Sequence, residues 1–362
     1  MNMVYKIAYL EDQEAGSIKR NIEQQGFEVT HVLPQKSFEE TLNQIQQINA
    51  HLLLMDFRLH AGAPHFNAPP FAQFFRSQVI EQGVSLPIVV ISSENNISDY
   101  YRDYTSLDLF DFAVDKETFL NKTKKYCSLF NELINGYQSL KNRQAVQGKK
   151  IGPEILNVPE ELKLRIDSRL LDTLSMHKYQ TDPFMMSGLL LSSFVKPIGI
   201  LIGPDVLSAR LGISKESQDW NNLLNQLDEF KYSGIYSKTY DRWWAHGIEI
   251  WWKLNFPSAQ TLRRLTASER CKLISEKYGF NQLIGLEKQP SSNSTRFWTV
   301  CSGSFKPLDP VDGFEIAKDI NNSPWLDPQY YSFDHLINAS LKVLEKLKEH
   351  ELERFKDKVR RG

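Results

Sequence analysis

The sequence predicts an α/β fold, a doubly wound parallel sheet over residues 1–140, followed by a mainly α second domain with a few short strands. Three observations carry it. Short apolar runs end, one after another, on Glu11-Asp12, Asp56, Ser92 and Lys116. Runs of this length fit strands covered on both faces. They alternate with stretches of helical character, a βαβα beginning that implies right-handed crossovers. Past about residue 150 this alternation ends.

Each element can be justified in turn. Lys6-Ile7-Ala8-Tyr9-Leu10 is the first strand, and a polar helical stretch runs from it to Gln25-Gly26. Phe27 to Leu33 is the second strand. A helix from Ser37 to about Asn49 opens on a Ser-x-x-Glu capping signal, with Glu40 at its third position. The third strand is Leu52-Leu53-Leu54-Met55, closed by Asp56, and the long Gly- and Pro-rich stretch Leu59 to Pro70 after it should overhang the sheet edge. Pro87-Ile88-Val89-Val90-Ile91-Ser92 is the fourth strand and Val114-Asp115-Lys116 closes the fifth. A last helix spans about Glu117 to Leu140, and the polar, basic stretch 141–153 reads as a linker. Three carboxylates, a hydroxyl and an ammonium thus meet at the carboxyl edge of one sheet, where such folds place their sites.

In that arrangement the N-terminal region, over roughly residues 3–140, resembles the receiver domain of two-component response regulators. Taken singly, an Asp after a strand is an ordinary loop residue or helix cap. The joint order of acid pair, acceptor, hydroxyl and lysine on four different strands is far more specific. The resemblance implies a five-stranded sheet in flavodoxin-like order, with Asp56 as phosphoryl acceptor and Ser92 and Lys116 contacting the acyl phosphate. It makes Glu11, Asp12, Asp56 and the backbone carbonyl of Arg58 the ligands of Mg²⁺, a hard cation that neutralises charge on the transferring oxygens. Without metal, the crowded acids should raise one another's pKa values. A sensor histidine kinase or other phosphodonor is the implied partner, and pairing of two copies through the fourth and fifth helices is implied too. Two positions depart from the family pattern: Ala113 stands at the aromatic switch, with Phe110 and Phe112 nearby, and Glu117 replaces the proline after the lysine.

Composition sets the outer bounds. A chain of 362 residues with a formal charge of −1 has room for two domains and no strong pull toward nucleic acid or membrane. The three cysteines, Cys127, Cys271 and Cys301, are too far apart for a zinc site or a disulfide framework and fit a reducing cytoplasm. The first residues read as a strand, not a signal peptide. The apolar stretch Phe184 to Gly203 is long enough to span a bilayer, but Lys196 and Pro197 fall past its middle, so a buried helix to Val195 followed by a break is expected.

Helices are expected in the second half near Pro159–His177, Asp182–Val195, Pro204–Leu211, Lys215–Phe230, Lys238–Leu254 and Ala267–Tyr278, with extended pieces at Thr295–Cys301 and Gly313–Ala317. Residues 154–331 form the output domain, and 332–362 read as one long amphipathic helix. Its stripe Leu341, Leu344, Leu352, Phe355 and Val359 is interrupted by Lys348 and offers either docking on its own domain or pairing between chains. Asp205 to Ser214 resembles the start of a helix-turn-helix, but the helix after it is acidic and unsuited to phosphates. The aromatic cluster Tyr232, Tyr236, Tyr240, Trp243, Trp244, Trp251 and Trp252 forms an apolar helical face that reads first as core, and alternatively as a pocket anchored by Arg242. The pairs Asp309/Asp312 and Asp327/Asp334 are turn formers that allow a metal site in principle.

These features together predict a cytoplasmic response regulator in which phosphorylation of Asp56 controls a C-terminal module acting by protein interaction, the chain forming a homodimer. DNA binding through residues 204–230, and an enzymatic effector with a C-terminal metal site, are the alternatives.

Overall fold

The computed structural model describes residues 4–59, 66–82, 85–93, 109–145, 151–317 and 323–361. The chain divides into two compact units, Met1–Gly152 with Leu174–Leu190, and Pro153–Thr173 with Leu191–Gly362.

In the first unit, β1 (Lys6–Leu10), β2 (Glu28–Val32), β3 (Leu52–Asp56), β4 (Ile88–Ser92) and β5 (Phe112–Asp115) form one all-parallel sheet in the order β2-β1-β3-β4-β5. This is the flavodoxin-like, receiver-like order that the sequence predicts. β3 and β4 are buried along their whole length, which explains their unbroken apolar sequences. Register pairs Leu10 with Met55, Asp56 with Ile91 and Ser92 with Asp115, so the strand ends reach a common edge. Helices α1 (Gly16–Glu23), α2 (Phe38–Ile48), α3 (Ala68–Gln82), α4 (Lys116–Asn121) and α5 (Thr123–Ala145) accompany the sheet. Leu42 and Ile45 of α2, with Phe71 and Phe75 of α3, close one face against Leu10, Leu53, Met55 and Val90. Ser37 caps α2 through a 3.1 Å bond from the Glu40 amide.

The expected single helix after β5 is two. The Thr123 hydroxyl bonds back to the carbonyls of Phe119 and Leu120, each at 3.1 Å, and the backbone breaks at Lys122. α5 then continues to Ala145, into the stretch expected to be linker. Residues 60–65, which carry most of the expected overhang, and residues 94–108, between β4 and β5, lie outside the described residues. Their flanks Arg58–Leu59 and Phe66–Asn67 pair as a two-residue hairpin.

At the opposite, amino edge of this sheet, Asp111 accepts from the Ile88 amide and the Tyr137 hydroxyl, both at 2.8 Å, and pairs with Arg76 at 3.1 Å. The Arg76 guanidinium also donates to the carbonyls of Leu86 and Leu109 and lies 3.6 Å from the centroid of Phe184. That ring belongs to the helix Pro183–Leu190, which is how a segment from beyond residue 153 becomes part of the first unit.

The second unit is helical with short antiparallel strand pairs, Leu201–Ile202 with Trp243–Trp244, Thr299–Val300 with Pro307–Leu308, and Gly313–Glu315 with Tyr330–Ser332. Helices Pro204–Leu211 and Ala267–Tyr278 stand where the sequence puts them. Others are shorter than expected, because tertiary pairing interrupts them. The helix expected from Lys238 starts at Ala245, since Trp243 and Trp244 are drawn into a strand pair. The helix expected over 159–177 is a 3-10 turn, Glu160–Arg165, and a helix, Ser168–Leu174, separated by extended Ile166. The apolar stretch after Asp182 is the helix Pro183–Leu190 and a π turn, Leu191–Val195, and no helix among the described residues is long and apolar enough to cross a membrane.

The helix-turn-helix expectation is corrected. Gly212 has a left-handed φ of 72°, and a Cβ there would stand 2.6 Å from the Cα of Ala267. The chain then bridges Ile213 to Gly285, so that in place of a second helix from Lys215 only Trp220–Asn225 and the 3-10 turn Asp228–Phe230 form. The aromatic cluster is core: Tyr232, Tyr236, Trp243, Trp244, Trp251 and Trp252 are all buried, and Arg242 donates to the backbone carbonyl of Val195 at 2.6 Å. The C-terminal carboxylates do not assemble a metal site. Asp309 takes Arg263 at 2.7 Å, Asp327 takes Arg210 at 2.8 Å, Asp312 accepts from the amides of Asn293 and Ser294, and Asp334 accepts from Ser291.

The long terminal helix is three pieces, Phe333–Leu336, Leu341–Leu344 and Glu349–Arg361. Leu347 is drawn into a bridge with Ile316, and Lys348 pairs with Glu315, which the helix cannot accommodate unbroken. Phe355 packs 5.7 Å from Phe314 and 5.6 Å from Phe333, and Leu344 and Leu352 pack against the same cluster, so this part of the stripe docks on its own unit while Leu341 and Val359 stay exposed.

Candidate functional site

β1 and β3 end side by side, and the residues that leave them are acidic. Glu11 is 2% exposed and Asp56 7% exposed. Their carboxylates and that of Asp12 offer oxygens within 4.8 Å of one another, the one such group among the described residues. Lys116 begins α4, whose N-cap Asp115 accepts from the Thr118 amide at 2.7 Å. That cap sets the helix start at the sheet edge, and the Lys116 ammonium reaches Glu11 at 2.8 Å and Asp56 at 3.3 Å. Ser92, buried, is the last residue of β4, one position past the register partner of Asp56. Arg58 lies two residues beyond Asp56 in the hairpin. The structure therefore brings Glu11, Asp12, Asp56 and Lys116 together, with Ser92 and Arg58 on adjoining strand ends.

Burial pushes the Asp56 carboxyl up to about 6, with the charge of Glu11 adding to it and Lys116 acting against both. Burial works to lower the Lys116 ammonium, but its bond to Glu11 and the field of Asp56 outweigh that and hold it above its ordinary value. Oδ1 of Asp56 is buried, and the Lys116 ammonium, 3.3 Å away, is what faces it. A buried anionic oxygen beside two further carboxylates is the donor set of a hard divalent cation, so these residues fit Mg²⁺.

Sequence reasoning missed the residues that hold Glu11. The Tyr9 hydroxyl donates to its Oε2 at 2.8 Å, and burial, then the Glu11 charge, push that phenol up. Nε2 of His31 lies 2.8 Å from the Glu11 carbonyl. The signal for Tyr9 was there: two residues from Glu11 on an extended chain, it shares its face. At the departures from the family pattern, Phe112 stacks on Tyr126 with centroids 5.9 Å apart, and Phe110 is buried in the sheet core.

No protein-family model matches the chain, and no curated protein matches it. Solved structures to which it is similar include a CheY-like response regulator receiver domain from Methylobacillus flagellatus, at 15% identity and a TM-score of 0.28 over 35% of this chain and 99% of that one. Another is the isolated receiver domain of RcsB from Salmonella enterica serovar Typhimurium with phosphomimetic BeF3⁻, at 20% identity and a TM-score of 0.27 over 35% and 88%. A third is a Saccharomyces cerevisiae receiver domain co-crystallised with a histidine phosphotransfer signaling protein, at 16% identity and a TM-score of 0.28 over 36% and 88%. The C-terminal half has no named match. At these TM-scores the likeness adds nothing to what the strand order and the arrangement of the acids establish by themselves.

Proposed function

We propose that the first unit is a receiver that accepts a phosphoryl group on Asp56, from a histidine kinase or another phosphodonor, and that this controls the second unit as a protein-interaction module. One observation carries the reading: an ammonium bridging two of three clustered carboxylates, at 2.8 and 3.3 Å, on the carboxyl edge of a five-stranded parallel sheet. Glu11, Asp12, Asp56 and the Arg58 carbonyl would hold Mg²⁺, which when bound neutralises charge on the transferring oxygens. An Asp56 carboxylate oxygen attacks phosphorus and forms the acyl phosphate as the bond from phosphorus to the donor's leaving atom breaks. Lys116 then pairs with a phosphoryl oxygen, and the Ser92 hydroxyl donates to another. The pairing of Lys116 with Asp56 also keeps the acceptor ionised against its burial.

Acetyl phosphate with Mg²⁺ should add one phosphoryl group to the full chain in intact-mass spectra, and Asp56→Asn should abolish the gain. A wild-type chain that binds Mg²⁺ yet gains no mass overturns the reading. Pairing of two copies belongs to the same proposal and rests on the receiver resemblance.

A further inference from the structure

β2 fixes the backbone of Glu11 on both sides. The Glu11 amide donates to the Val32 carbonyl at 3.1 Å, and its own carbonyl accepts from Nε2 of His31 at 2.8 Å. These bonds leave the side chain free to turn, and at 2% exposure it has almost no water to satisfy it. Two donors meet one of its oxygens. Oε2 accepts from the Tyr9 hydroxyl and from the Lys116 ammonium, both at 2.8 Å, whereas Oε1 has the Gln13 amide at 3.4 Å. With both lone pairs of Oε2 engaged, Oε1 is the oxygen left to a cation.

The two donors differ in what else they must do. Lys116 also faces Asp56 at 3.3 Å, and pairing with a phosphoryl group on that residue would draw it off Glu11. Tyr9 has no such second duty. It is fully buried within β1, in register with His31 on one side and Leu54 on the other, so its ring is held in place. Burial and the charge of Glu11 keep the phenol protonated, and therefore a donor. A phenylalanine would fill the same space without needing an acceptor, so packing does not explain the hydroxyl.

We propose that Tyr9 is a positioning residue for the divalent-cation site: it holds Oε2 of Glu11 whether or not Lys116 is there, and so keeps Oε1 free for the cation. The inference rests on reading Glu11, Asp12 and Asp56 as that site. Donors that orient a ligating group typically carry about 10- to 100-fold in metal affinity.

The test titrates the full-length chain with Mn²⁺, reading the free ion by electron paramagnetic resonance, and then displaces the bound ion with Mg²⁺. Wild type should hold one ion per chain that Asp56→Asn loses, and Tyr9→Phe should bind it about tenfold more weakly. The control is Tyr137→Phe. Tyr137 is equally buried and donates to Asp111 at 2.8 Å on the opposite edge of the sheet, so its loss removes a bond of the same kind away from the acids. It should melt lower yet bind the ion as wild type does. The Mg²⁺-induced rise in melting temperature gives the same comparison in a variant of reduced stability, and it should shrink in Tyr9→Phe alone. Tyr9→Phe binding as tightly as wild type, or Tyr137→Phe weakening the ion as much, overturns the proposal. A wild-type chain with no ion that Asp56→Asn removes overturns it together with the metal site. A chain that takes no phosphoryl group, but in which Tyr9→Phe weakens the ion, supports the role of Tyr9 while the acceptor reading falls.

Discussion

Asp56 carries its charge where burial and Glu11 both oppose it, and the cost can be measured. A carboxyl raised from 3.8 to about 6 binds more protons folded than unfolded, so stability falls as pH rises from about 4 through 6 and stays reduced above. The shift corresponds to roughly 1–3 kcal/mol. In EDTA at pH 7.5, Asp56→Asn should therefore melt above wild type in the far-ultraviolet circular dichroism of the full chain, in the transition that tryptophan fluorescence does not follow. The gap should close by pH 4 and narrow on adding Mg²⁺, which stabilises only the chain that binds it well. A variant that melts lower at pH 7.5 without metal sinks the repulsion argument. At this scale Glu11, Asp12, Asp56, Ser92 and Lys116 were legible because each follows an apolar strand and is of a type that interior rarely tolerates. Tyr9 was missed although its spacing from Glu11 was readable, because a tyrosine inside a strand looks like core until its hydroxyl is seen on Glu11.

Elements were legible where local signals decide them and illegible where distant partners do. Ser37 with Glu40 marks the start of α2, and the helix begins at Phe38. Nothing local says that Trp243 will pair with Ile202, or that Leu347 will bridge Ile316, and those two contacts end the helices that periodicity alone extends. The ion pair at the amino edge is of the same kind. Arg76 and Asp111 are 35 residues apart, yet the pair joins α3 to the starts of β4 and β5 and holds a ring from the helix Pro183–Leu190. Burial pushes the Asp111 carboxyl up even with Arg76 against it, so removing the arginine leaves an unpaired buried acid. Arg76→Ala should cost about 3–5 kcal/mol in urea unfolding, where an exposed pair would cost less than about 1 kcal/mol. A loss of that smaller size would mean that the pair does not hold the edge together.

For the whole molecule, the sequence divides the chain near residue 140, whereas its contacts give Leu174–Leu190 to the first unit, an exchange that no composition shift announces. The terminal stripe shows the same limit, since periodicity offered self-docking and pairing between chains alike. The packing of Phe355 on Phe314 and Phe333 places that side chain, 7% exposed, in the core of the second unit, while Leu341 stays 76% exposed. The pairing of two copies that the receiver resemblance implies must then use other surfaces. If two copies pair as proposed, a chain cut after Ser340 should run as a dimer, as the full-length chain does, by light scattering at micromolar concentration. Its second unit should melt lower, because Leu347 and Phe355 leave the cluster around Phe314. All seven tryptophans lie between Trp220 and Trp325, so their fluorescence reports that unit alone. Losing a buried aromatic costs about 3–5 kcal/mol, or roughly 10 °C for a domain of this size. A full-length chain that runs as a clean monomer rules out the pairing, and a truncated chain that dissociates while its tryptophan transition stays put would return the stripe to the interface between chains.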